Sequence, residues 1–171
     1  MILGEGPIYR ESDSTLHWVD CLAEPPEFHI LKVDPDTGAP VGRSRKLELE
    51  DSVTVHFFRR NKPGSYICAY YQGVAFLDEK TGKLEVVKEI IPTDQRDKLR
   101  FNDGGVDAKG RFWLAEIDKV AMAYGFGLPE AMAELDVVIA NWHGLDQTAF
   151  HQTTELRSAG YGDMTLMAAS I

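Results

Sequence analysis

Asp34-Pro35-Asp36-Thr37-Gly38 and Asp78-Glu79-Lys80-Thr81-Gly82 share an Asp-x-x-Thr-Gly frame and lie roughly 44 residues apart. Asp, Thr and Gly are turn formers, because a short side-chain oxygen can accept hydrogen bonds from nearby amides and glycine supplies the positive φ. Each copy follows a short apolar run, Phe28-His29-Ile30-Leu31-Lys32-Val33 in one case and Val74-Ala75-Phe76-Leu77 in the other. The pair therefore reads as one turn, used twice, at the end of equivalent strands. A period of this length is that of a propeller blade of about four strands.

Working outward, strands are expected at residues 8–9, 15–20, 28–33, 53–58, 66–71, 74–77, 84–87 and 111–117. Gly4-Glu5-Gly6-Pro7 reads as a turn-like opening, and hairpin turns near Ser14, Gly64 and Gly110 recur at a comparable interval. Small antiparallel sheets repeated radially protect strand edges; a β-sandwich with irregular spacing is the other architecture these strands allow. Asp34-x-Asp36 lacks the ladder of oxygen ligands that a calcium loop needs. After Asp118 the plan stops. Residues 121–133 have a partly helical composition, residues 137–139 suit a short strand, and residues 142–171 show no sustained period. Three blades at most are visible, where propellers use about four to eight. The expectation is an all-β chain: a partial β-propeller domain over 1–141 and a separate, poorly ordered tail over 142–171.

The 171 residues suffice for one domain with a real core. The net charge of -9 disfavours a nucleic-acid partner, whose phosphates it would repel. Cys21 and Cys68, at no metal-like spacing, suit a reducing compartment. Met1-Ile2-Leu3-Gly4-Glu5 has neither a basic region nor an apolar run, so no signal peptide and no membrane span are expected, and the location expected is cytoplasmic.

Function is expected at residues 100–113. Arg100-Phe101-Asn102-Asp103-Gly104 sets a guanidinium, an amide and a carboxylate within five residues, ahead of a second glycine, Gly105. Asp107-Ala108-Lys109-Gly110 reads as a turn into the strand carrying Phe112 and Trp113. The alternative is a well-satisfied loop between two strands. Asp103 suits the pinning of its own loop; Trp18 and Trp113 suit a core more than a substrate platform. Glu116 and Asp118 lie on one face of a strand, at a channel or a solvated rim. His17, His29, His56, His143 and His151 share no metal spacing and read as surface or strand histidines.

Three segments together resemble the senescence-marker protein, gluconolactonase and regucalcin family of lactonases. They are Leu3-Gly4-Glu5-Gly6-Pro7 with Leu16-His17-Trp18-Val19-Asp20, then Arg100-Phe101-Asn102-Asp103-Gly104, then Val106-Asp107-Ala108-Lys109-Gly110-Arg111-Phe112-Trp113. The resemblance covers residues 2 to about 118 and implies the N-terminal part of a six-bladed β-propeller. It implies hydrolysis of a sugar lactone or related ester, helped by one divalent cation, calcium first and zinc, magnesium or manganese as other choices. Glu5 resembles the first metal-ligating carboxylate, and Asn141 matches the asparagine ligand that follows a Val-x-Ile strand. Arg100 and Asn102 resemble the residues that contact the substrate. The family's third ligand, an Asp that serves as general base, has no counterpart here. The alternative is a catalytically incompetent fragment with weak cation binding or an interaction role, and exposed blade edges would favour self-association.

Beyond Asn141 the family pattern runs Gly-Met-Gly-Trp-Thr, whereas this chain has Trp142-His143-Gly144-Leu145-Asp146. Advancing the reading frame by one base across Trp142-His143 forces a glycine codon after Asn141 and permits the rest. Residues 142–171 are therefore expected to be out of the family's frame.

Overall fold

The computed structural model describes residues 1–107 and 109–119, together with the backbone of two short strands, Ile139–Ala140 and Phe150–His151. The chain divides into two compact units, Met1–Lys88 and Glu89–Ile171.

The first unit contains two antiparallel sheets of four strands, each in chain order. Its first sheet is β1 (Gly4–Arg10), β2 (Thr15–Asp20), β3 (Glu27–Lys32) and β4 (Arg45–Glu48); the second is β5 (Val53–Phe58), β6 (Ser65–Tyr70), β7 (Gly73–Asp78) and β8 (Leu84–Glu89). Alternation decides which side chains meet. Thr15, His17 and Val19 on β2 are buried, while Leu16 and Trp18 between them are only partly covered. Val19, Phe28, Ile30 and Leu49 from the first half of the unit join Val53, Tyr66, Cys68, Tyr70, Ala75 and Leu77 from the second in one apolar cluster. Each large side chain buried there contributes about 1.5–3 kcal/mol. The edge strand β4 is short and carries Arg45 and Lys46, which discourage further strand pairing.

Both copies of the repeated turn link the third and fourth strands of their sheets. Asp34 Oδ1 accepts from the Thr37 amide and hydroxyl, both at 2.8 Å, and Asp78 Oδ1 accepts from the Thr81 amide at 2.8 Å and hydroxyl at 2.7 Å. Gly38 and Gly82 then take φ of 72° and 73°. The Asp34 carboxylate thus serves its own backbone.

The second unit holds a third sheet in the order β12-β11-β10-β9, with β9 at Leu99–Val106, β10 at Phe112–Asp118, β11 at Ile139–Ala140 and β12 at Phe150–His151. Phe101, Phe112 and Leu114 are its buried residues of large volume.

Three local readings change. Gly4–Pro7 is strand rather than turn, because the pairing of β1 with β2 absorbs one extra residue between Glu5 and Ile8. Arg100–Gly104 is strand rather than loop, paired with β10 except at Asn102. β4 carries no alternating apolar pattern and was not among the expected strands. His17 and His56, read as surface or strand histidines, lie on β2 and β5 and are fully buried. The expected helical stretch 121–133, Asn141 and His143 lie outside the described residues, as does the tail apart from the backbone of 150–151.

Candidate active site

Glu5 belongs to the first compact unit and Arg100 and Asn102 to the second. Each sits on the first strand of its sheet, and each of those strands carries an irregularity there.

In β1, Glu5 pairs with Val19 and Ile8 with His17, so Gly6 and Pro7 together oppose the single residue Trp18. Gly6 adopts φ of 56°, in the left-handed region that a side chain disfavours. A Cβ there would stand 3.7 Å from His56 Nδ1 and from the backbone of Thr54 and Val55. Glu5 is left as an exposed carboxylate beside a bend that glycine makes possible. Nearby, the buried Asp20 anchors the incoming chain by accepting from the amides of Ile2 at 2.5 Å and Leu3 at 2.9 Å. Burial pushes the Asp20 carboxyl up, but these two amides hold it below its ordinary value.

In β9, Phe101 pairs with Glu116 and Asp103 with Ala115, which leaves Asn102 as the extra residue, exposed, between them. A bulge of this kind re-aims a side chain at the cost of one unpaired residue. The flanking glycine is dictated by contact. A Cβ on Gly104 would stand 2.2 Å from the Trp113 carbonyl oxygen and 2.9 Å from Leu114 Cδ2. Arg100 is half-buried, and its Nη1 donates to the Phe101 carbonyl at 3.1 Å. Asp103 Oδ1 accepts from the Gly104 amide at 2.7 Å, the local pinning expected of it.

The turn that follows is held by Asp107. Its Oδ2 accepts from Arg111 Nε at 2.6 Å and from the Trp113 indole at 3.2 Å, so Trp113 fastens this turn. Asp118 pairs with Lys98 at 3.2 Å, and Glu116 is buried. On the first sheet, Trp18 stacks on His29 at 4.9 Å between ring centres.

Arg100 and Asn102 are thus brought together on one strand, on either side of Phe101. Glu5 is placed within its own unit, and Asn141 lies outside the described residues. Among the described residues, no group of three or more His, Cys, Asp or Glu side chains could hold a metal ion by itself. The bulges were not read from the sequence; a signal was present in Gly6 and Gly104, each one residue beyond an exposed polar group.

Residues 3–128 match the family described as the SMP-30/Gluconolactonase/LRE-like region. The chain belongs to that family. Over 150 residues it is 27% identical to a Bacillus subtilis protein named as a sugar lactone lactonase, an alignment covering 85% of this chain and 47% of the relative. It is 32% identical over 116 residues to the 6-deoxy-6-sulfogluconolactonase of Pseudomonas putida, covering 68% of this chain and 36% of that enzyme. Among solved structures, a calcium-binding regucalcin from Agrobacterium tumefaciens superposes with a TM-score of 0.61 at 21% identity, covering 82% of this chain and 41% of that one. A luciferin-regenerating enzyme superposes with a TM-score of 0.63 at 20% identity, covering 89% and 46%. The architecture is accordingly that of part of a regucalcin-like β-propeller, and the chain spans less than half the length of these relatives.

Proposed function

We propose that this family member carries part of the machinery of a divalent-metal-dependent hydrolase of sugar lactones. The observation that carries the reading is the bulge in β9, which sets Asn102 out of the ladder beside Arg100 within the family-matched residues. The lactonases among its relatives support the substrate class. Arg100 offers fixed guanidinium donors and Asn102 an amide, groups that recognise the oxygens of a polyhydroxylated lactone. Glu5 would hold the cation together with Asn141. A carboxylate and an amide are hard oxygen donors and fit calcium, magnesium or manganese better than a thiolate-seeking ion. Glu5 is exposed and so free to meet such an ion, whereas both cysteines are buried. When bound, the cation would polarise the lactone carbonyl and acidify a water.

A second reading is that the chain by itself binds the cation weakly and turns over no lactone. It is favoured by the chain's span of less than half of its lactonase relatives. The test is calorimetric titration of the purified chain with calcium, manganese, magnesium and zinc, followed by a pH-stat assay on gluconolactone. Cation binding is expected, lost in Glu5→Ala, and Arg100→Ala should weaken lactone binding about tenfold, a loss of ~1.4 kcal/mol. Turnover abolished by Glu5→Ala would select the enzyme, and binding without turnover the second reading. Wild-type chain that binds neither cation nor lactone would sink both.

A further inference from the structure

Within the first unit, Arg10, Asp13, Thr15, His17, Tyr66 and Glu79 close into a ring of hydrogen bonds joining the two sheets. Arg10 donates to Asp13 through Nε at 2.9 Å and Nη2 at 2.7 Å, and to Glu79 through Nη1 at 2.5 Å and Nη2 at 3.1 Å. Running the other way round, Thr15 Oγ1 lies 2.6 Å from Asp13 Oδ1 and 2.7 Å from His17 Nε2. Tyr66 Oη lies 2.9 Å from His17 Nδ1 and 2.8 Å from Glu79 Oε2. Counted from Asp13 to Glu79 there are four links, all of hydrogen-bond length.

A hydroxyl has one hydrogen to donate, a neutral imidazole one, an ionised carboxylate none. Thr15, His17 and Tyr66 therefore bring three hydrogens to four links. Four arrangements use all three, each leaving one link without a hydrogen. Two of them leave a ring nitrogen of the fully buried His17 facing an oxygen lone pair, the costlier place for the gap, and the other two leave it at a carboxylate. In one, Tyr66 donates to Nδ1, Nε2–H donates to Thr15 and Thr15 donates to Asp13, so Glu79 receives nothing from the tyrosine. In the other, Thr15 donates to Nε2, Nδ1–H donates to Tyr66 and Tyr66 donates to Glu79, so Asp13 receives nothing from the threonine. Burial chooses between them. The Glu79 side chain is 16% exposed and that of Asp13 44%, so water can replace the missing donor at Asp13 far more readily.

The surroundings keep the imidazole neutral. His17 is fully buried, and burial, then the Arg10 guanidinium, pull it down to about 4 against the opposing pull of Glu79 and Asp13. The groups facing it are Arg10, Asp13 and Thr15, Arg45 on β4, Phe28 on β3, His56 and Phe58 on β5, Tyr66 on β6, and Glu79.

We infer that His17 is held as the neutral Nδ1–H tautomer, giving the ring a direction from Thr15 through His17 and Tyr66 to Glu79, and that the charge of Glu79 on the second half of the unit sets this direction. The ring is then a coupling device: removing the charge at Glu79 reverses three hydrogen bonds and delivers the Thr15 hydrogen to the turn at Asp13, on the first sheet. It stands apart from the lactonase reading and uses none of that site's residues.

The experiment is a long-range 1H–15N correlation spectrum of the full chain labelled in its histidines, at pH 7, with His17 assigned by its nuclear Overhauser contacts to the Tyr66 and Phe58 rings. In wild type Nδ1 should carry the hydrogen and Nε2 should not. Glu79→Gln should exchange the two nitrogen shifts, because the carboxamide can donate to the tyrosine oxygen and free its hydrogen for Nδ1. Thr15→Val should leave the tautomer unchanged. Should Glu79→Gln fail to fold, Tyr66→Phe gives the same reading, since Thr15 then remains as partner and the hydrogen should move to Nε2. A wild-type Nε2–H tautomer, a doubly protonated imidazole at pH 7, or variants that leave the shifts in place would overturn the inference.

Discussion

Gly104 shows how much can rest on the absence of one methyl group. The Trp113 carbonyl oxygen would stand 2.2 Å from a Cβ at this position, and that oxygen belongs to backbone, which cannot swing aside. Gly104→Ala should therefore force β9 away from β10 and cost about 2 kcal/mol or more, the range of overpacked sites. Gly105, one residue on, has nothing within 4 Å of its Cβ direction. Gly105→Ala is the matched control and should shift a urea midpoint far less; equal shifts would show that contact is not the cause. The Arg-Phe-Asn-Asp-Gly run was legible as a place where backbone comes close to something. That the something is the neighbouring strand, and not a ligand, was not legible, because the partner lies ten residues away in a pairing that local pattern does not specify.

At the scale of elements, the repeated turn separates two causes of glycine dependence. Gly38 and Gly82 have the same φ within a degree and the same aspartate-threonine cap. Gly38 has open space where a side chain would go, whereas Gly82 faces the Glu48 carbonyl oxygen at 3.0 Å and Leu47 and Leu49 at 3.5 Å. Gly38→Ala should cost about 1–2 kcal/mol for the left-handed backbone alone, and Gly82→Ala measurably more. Equal melting shifts would mean that crowding contributes nothing. Here the sequence was a good guide, since Asp, Thr and Gly at fixed offsets specify both hydrogen bonds and φ within five residues. It was a poor guide to β4, whose Arg45-Lys46-Leu47-Glu48 gains its strand form from pairing with β3. For His17 and His56 it went no further than surface or strand: an imidazole can be a surface group or a buried one, and only the sheet opposite decides.

For the whole chain, those two histidines make acid the weak side. Burial is the first cause of depression for both; it and Arg10 take His17 down to about 4, and it and His17 take His56 to about 3. Unfolded, each would take up a proton below about 6.5. Between pH 6.5 and 4 the unfolded chain binds protons that the folded chain refuses, so stability falls as pH falls, by about 3 kcal/mol for each histidine over that interval. Asp13, held down to about 2 by Arg10, adds a loss of the same sign between its ordinary range and pH 2. Chemical denaturation at pH 7, 5.5 and 4 should show this decline. His56→Leu should flatten it, since neither nitrogen of His56 has a hydrogen-bond partner among the described residues. An unchanged slope in that variant would assign the acid sensitivity elsewhere.

The bulges carry one more implication, about counting rather than shape. Each sheet's first strand has one residue more than its partner can match: within Gly6-Pro7 on β1, Thr54 on β5 and Asn102 on β9. Deleting Asn102 would leave Phe101 opposite Glu116 and Asp103 opposite Ala115 with no gap between them, an ordinary ladder. The deletion should therefore fold, with a melting temperature at or above that of the parent, while any affinity for a lactone disappears. If the shortened chain instead fails to fold, Asn102 is a structural residue after all. If it folds and still binds, the lactone contact lies elsewhere. A surplus residue that the sheet can do without is a place where the chain has kept a letter its folding does not need.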